Sequence, residues 1–146
     1  MGERRQSREL ALKVLYQMEH GAGGGPEAAL QLYTDNFKAP ERLRAYAEHL
    51  VMGISQNKAE IDAMLESASR RWKLSRMPRV DRNILRVAAF EMLFSQGQVP
   101  PKVAINEAVE LAKRYGGEES PGFINGVLDS LLAAQKDRLA RGPGQA

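Results

Sequence analysis

The side chains best placed to do chemistry are arginines set beside aromatic rings. Arg4-Arg5-Gln6-Ser7-Arg8 leads directly into an apolar stripe that passes Tyr16. At roughly 100° per residue, Arg5, Glu9, Leu12 and Tyr16 fall on one helix face, and Leu10, Val14, Leu15 and Met18 on another. An outward ring beside guanidinium groups suits single-stranded nucleic acid, because the cations neutralise phosphates and the ring offers a stacking surface. The competing reading is a solvated basic terminus with Tyr16 packed on a neighbouring helix. A second basic stretch holds Arg70, Arg71, Lys73, Arg76, Arg79, Arg82 and Arg86 around Trp72, with Asp81 its only acid. It reads either as a phosphate-binding loop with an aromatic platform or as a solvated face with Trp72 capping the core.

Enzyme chemistry finds little support. His20 precedes Gly21 at a helix end, where a cation favours the helix dipole, and His49 lies in a charged segment. Neither has a catalytic or metal-ligand companion at recognisable spacing. Gly21 to Gly25 is glycine-rich but lacks the Lys-Ser or Lys-Thr of a phosphate-binding loop, so a turn is expected there. Asp62 and Glu66 form a carboxylate pair at helical spacing, expected on a solvated face. Glu91, among Ala88, Ala89, Phe90, Met92 and Leu93, needs a partner if buried, and a structural ion pair is expected there. No catalytic residue, metal or cofactor is assigned.

The elements that must position these groups follow from the turn residues. Breaks fall at Gly21–Pro26, Lys38–Pro40, Met77-Pro78, Gly97–Pro101 and Gly116-Gly117, and between them apolar residues recur at three and four. Helices are predicted near 4–20, 26–37, 41–70, 79–95, 101–115 and 121–138, with 41–70 either continuous or joined at Gly53 or Asn57. Ala28, Leu32 and Phe37 mark the short second helix. Ile84 to Leu93 is apolar almost all round, which predicts a central, buried helix. Gly116 is expected as a C-cap, and Ser120-Pro121 as a helix start with Ser120 as N-cap. Gly126, inside the last helix, implies close approach of another backbone, because glycine there costs roughly 1 kcal/mol relative to alanine. The class is all-α, with six or seven helices and no sheet.

The chain's 146 residues suit one domain, and the absence of cysteine excludes disulfides and zinc-finger spacings. Lys+Arg 21 against Asp+Glu 18 gives +3. A pI near 9.3 allows attraction of polyanions without the charge of a histone-like protein. The charged start at Met1–Glu9 is not a secretory signal. No apolar run approaches a membrane span. A cytoplasmic protein without a membrane role is expected.

Three ordered blocks carry a family resemblance. They are Val80 to Glu91, Val103 to Lys113 (V-A-I-N-E-A-V-E-L-A-K) and Phe123 to Asp129 (F-I-N-G-V-L-D). With the arginine-rich segment leading into Ala11–Tyr16, they resemble the NusB family of transcription antitermination factors over nearly the whole chain. The third block departs from the family's F-V-N-G-V-L-D only at Ile124. The resemblance implies two packed helical subdomains making one NusB-like domain over 1–140, with a disordered tail at 141–146. It implies RNA binding together with NusE, a small-subunit ribosomal protein, on the boxA element of nascent RNA. The setting is the antitermination complex of RNA polymerase, chiefly on ribosomal RNA operons. Carried over residue by residue, the RNA-facing set is Arg4, Arg5, Arg8, Tyr16, Glu119 and Phe123, and Asp81 and Arg82 lie in the region that meets NusE. Gln6 and Ser7 interrupt the arginine run. Members occur as monomers or homodimers. Two other readings share these features. One is a module related to ribosomal-RNA cytosine methyltransferases, expected to lack catalysis because the chain ends near the close of the NusB-like part and has no cysteine. The other is a protein-only helical adaptor.

Overall fold

Prolines set the starts of three helices. Pro40, Pro78 and Pro100 are each the N-cap, with φ of −55°, −55° and −58° and extended ψ. A proline cannot donate, and it restrains the residue before it, so each one ends the preceding connection where a helix can begin. Their carbonyls accept from Arg44, Arg82 and Ala104, closing the first helical turns. The computed structural model describes residues 2–20, 24–36, 39–70 and 72–140. The order is α1 (Glu3–His20), α2 (Gly25–Asn36), α3 (Glu41–Gln56), α4 (Lys58–Ser69), α5 (Arg79–Phe94), α6 (Pro101–Tyr115) and α7 (Ser120–Ala140). A short 3-10 turn, Leu74–Arg76, precedes α5. No strand occurs among the described residues, so the all-α expectation holds. Phe37, Arg71 and the expected tail at 141–146 lie outside the described residues.

The segment 41–70 divides at Asn57, one of the two joints the sequence offered. Both the backbone N–H and the Nδ2 of Asn57 donate to the Gly53 carbonyl, at 3.1 and 2.8 Å. The side chain thereby competes for the bond that would continue the helix.

The chain falls into two compact units, residues 1–58 and 59–146. In the first, α1 packs on α3, and α2 packs on both. Ala11, Val14 and Leu15 of α1 are buried, as are Ala47, Leu50 and Val51 of α3. The inward side of α2 runs through Leu30 and Tyr33, which share a cleft with Leu10 and Val14. Leu32 of the expected stripe is 52% exposed instead.

In the second unit α5 is central, packing on both α6 and α7, which also pack on each other. It is buried at Asp81 and from Asn83 to Glu91, as its all-round apolar sequence requires. Its buried side chains carry polar groups that are partnered in part, the Asn83 Nδ2 being buried without a hydrogen bond among the described residues. Arg86 Nε donates to Asp62 at 2.8 Å and its Nη1 to Asn83 at 2.9 Å. Asp62 therefore does not lie on a solvated face. Arg86 is buried and Asp62 partly exposed, so removing Asp62 would strand a buried guanidinium. Glu66 is likewise engaged, accepting from the Leu74 N–H at 3.1 Å and fixing the 3-10 turn. Glu91 is 1% exposed and has a partner.

Gly126 corrects an expectation. It is exposed, and a Cβ built on it meets nothing within 4 Å, so no backbone among the described residues demands a glycine there. Gly126→Ala is expected to raise stability by up to about 1 kcal/mol through helix propensity. A urea midpoint that falls for this variant would contradict the open face described here.

Candidate nucleic-acid interface

The first unit places the arginine-rich segment on α1. Ser7 is buried and donates to the Leu43 carbonyl at 3.0 Å, which pins the start of α1 to α3. Arg4 remains exposed, with its guanidinium 3.7 Å from the centroid of the Tyr46 ring. Glu3 pairs with Arg42. Arg5 is half-buried. Tyr16 is 40% exposed and tilts against His20, one turn later, at 4.5 Å between centroids. Tyr16 is therefore a surface ring roughly three helical turns from Arg5, and the ring that the Arg4 guanidinium covers is Tyr46.

Arg8 and Leu12 depart from the expected outward face. They are 5% and 4% exposed, because α1 buries a broad arc that takes in both alongside Ala11 and Leu15. Arg8 is thus withdrawn from the surface, and a phosphate contact from it is not available in this conformation. The carried-over residues of α1 that reach the surface are then Arg4 and Tyr16, which are exposed, and the half-buried Arg5.

In the second unit, Trp72, Arg76, Met77, Pro78, Asp81, Glu119 and Phe123 line a cleft of about 400 Å³ with Gly117, Glu118 and Ser120. Trp72 is 52% exposed, so it does not cap the core. Glu119 is exposed and Phe123 half-buried. Asp81 is 4% exposed, and both its oxygens accept from the Ser120 hydroxyl, at 2.9 and 3.0 Å. The same hydroxyl accepts from the Gly117 N–H at 3.0 Å. Ser120 is therefore not the N-cap. Ser120 is instead the first residue of α7, where the Phe123 N–H closes onto the Glu119 carbonyl and the Ser120 N–H onto that of Gly117. Burial pushes the Asp81 carboxyl up, and the Ser120 bond partly offsets this. Arg82 is half-buried and donates to the Leu74 carbonyl at 3.3 Å.

Comparison with known proteins decides the family. The NusB family profile matches residues 5–133. The chain belongs to the NusB family. It is 47% identical to the transcription antitermination protein NusB of Trichlorobacter lovleyi over 137 residues, which cover 94% of this chain and 95% of that protein. It superposes on NusB of T. maritima with a TM-score of 0.82 at 35% identity, covering 94% of this chain and 96% of that one. A chain in the crystal structure of antitermination factors NusB and NusE in complex with dsRNA gives a TM-score of 0.79 at 29% identity, over 92% of this chain and 98% of that one.

Sequence reading missed two features of this NusB-family site. The cleft joins residues some fifty positions apart, Trp72 and Phe123, and no local pattern announces that. Gly116 caps α6 as expected, but in extended conformation, φ −93° and ψ −177°. Its glycine is required by space, since a Cβ there would sit 2.7 Å from the Ser120 side chain. No helix among the described residues is long and apolar enough to cross a membrane.

The raised Asp81 carboxyl has a signed consequence. The folded chain holds that proton more tightly than the unfolded chain, whose ordinary value is near 3.8. This group's contribution to stability therefore falls as pH rises from the ordinary value through the higher folded one. Asp81→Asn keeps an oxygen for Ser120 but cannot ionise. Its stability relative to the parent should rise with pH across that window and then level off, read by urea unfolding at a series of pH values. A relative stability that falls across the window would reverse the sign assigned to burial.

Proposed function

We propose that this chain is an RNA-binding transcription antitermination factor that acts with the ribosomal protein NusE on boxA-type RNA, chiefly in ribosomal RNA transcription. It works by binding, not catalysis, as part of a cytoplasmic RNA polymerase complex. Its family membership and the pairing of NusB, NusE and RNA in a similar structure support this. The observation that carries it is Tyr16, 40% exposed on the helix that bears Arg4 and Arg5. The exposed part of that ring offers an unstacked base a platform on the same helix as two cations.

Both units take part in this reading. RNA lies on α1, at Arg4, Arg5 and Tyr16. The resemblance adds Glu119 and Phe123, which line the cleft of the second unit together with Trp72 and Arg76. Asp81 and Arg82, on the first turn of α5, mark the region proposed to meet NusE. Asp81 would act from beneath the surface, since its oxygens are already bonded to Ser120.

RNA affinity measured in complex with NusE at several salt concentrations tests the α1 assignment. Arg5→Ala should weaken binding, reduce the log–log salt slope by about 0.7 if one phosphate contact is lost, and leave stability within about 0.5 kcal/mol. Tyr16→Ala should cost about 1–3 kcal/mol of binding with little change in slope. Salt-independent affinity, with Tyr16→Ala unfolding the chain, would make Tyr16 a core residue and leave the protein-only adaptor standing.

A further inference from the structure

Arg4 stands where the fold does not favour a cation. It is the second residue of α1, and positive charge in a first turn opposes the helix dipole. Glu3, the acid beside it in sequence, is paired with Arg42. A contact that holds Arg4 comes from α3, whose Tyr46 ring has its centroid 3.7 Å from the guanidinium carbon. Tyr46 is half-buried, and it meets a second ring, His49 one turn along α3, at 5.9 Å between centroids.

Such a stack can serve the fold or the ligand. As a fold device it would tie α1 to α3, but Ser7 already does so one turn later, through the Leu43 carbonyl. As a binding device it acts on entropy. An exposed arginine has many rotamers, and contact with a phosphate freezes them. A guanidinium already resting on a ring has lost much of that freedom before the ligand arrives, so less is lost on binding. It also keeps the donors at its edge for a phosphate, and Arg4 remains exposed to meet one.

We infer that Tyr46 is a positioning residue for RNA: it holds the Arg4 guanidinium against its ring and raises RNA affinity without touching the RNA. The inference rests on the reading that RNA lies on α1. It brings into the binding site a residue of α3 that no spacing in the sequence joins to the arginine run.

A double-mutant cycle tests this, read as affinity of the full chain bound to NusE for a single-stranded boxA-type RNA at several salt concentrations. Arg4→Ala should weaken binding and flatten the log–log salt slope by about 0.7. Tyr46→Leu should weaken it about two- to fivefold, the strength of an exposed cation–π contact, and keep the parent's slope, because no charge is removed. Tyr46→Phe keeps the ring face and should stay within about twofold of the parent. In the Arg4→Ala background, Tyr46→Leu should have no further effect. In the parent chain without RNA, the ring current of Tyr46 should displace the Arg4 side-chain proton resonances upfield. Absence of that displacement overturns the inference without need of a variant. A further loss from Tyr46→Leu in the Arg4→Ala background also overturns it, since Tyr46 would then act on RNA directly or through the fold. Unchanged affinity of Arg4→Ala, with the displacement intact in the parent, overturns the reading that places RNA on Arg4 and the inference with it, and leaves the stack as a fold contact.

Discussion

The open face of the second unit depends on one hydroxyl. Ser120 accepts from the Gly117 N–H and donates to both oxygens of Asp81, thirty-nine positions earlier in the chain. Those bonds tie the turn after α6 and the start of α7 to the first turn of α5. They also dictate sequence nearby. Gly116 must lack a side chain because Ser120 occupies its space, and Asp81 can be buried as an acid only because a donor reaches it. Trp72, Phe123 and the two glutamates take their places around that anchored corner. A second anchor, Arg86 on Asp62 and Asn83, holds α4 against α5 by the same logic, a buried cation reaching an acid on another helix.

The first unit is organised differently. Its stated polar anchor, Ser7 on the Leu43 carbonyl, fixes where α1 begins on α3 and leaves the rest of α1 to apolar packing. That arrangement frees Arg4 and Tyr16 at the surface while drawing Arg8 inward. Interruption of the arginine run thus has a structural reason in one case: Ser7 stands where a small buried donor is needed, and an arginine could not fit there.

The helices were legible because their signals are local. Prolines and glycines punctuate the chain, and three-four periodicity fills the intervals, so α1, α5, α6 and α7 begin and end within a few residues of their expected bounds. The central place of α5 was written in its all-round apolarity. What the sequence could not disclose was pairing across distance. Asp62 looked solvated because nothing near it in sequence announces a buried partner, yet Arg86 reaches it from twenty-four positions away. Ser120 beside Pro121 looked like a cap because the residues fit one, and only Asp81 and Gly117 reveal its other duty. Gly126 looked sterically required, but its face is open. The outward reach of Tyr16 came from helical phase, whereas the burial of Arg8 and Leu12 depends on how wide an arc α1 covers, which phase alone does not fix.

Ultraviolet crosslinking of a single-stranded boxA-type RNA to the intact chain bound to NusE, mapped by mass spectrometry, tests the placement of RNA on α1 most directly. Both Tyr16 and Trp72 are exposed aromatics and therefore compete on equal terms to report the path of the RNA. The account predicts adducts on α1 at Tyr16. Adducts confined to Trp72 or Phe123 would contradict it, and would leave α1 outside the path of the nucleic acid.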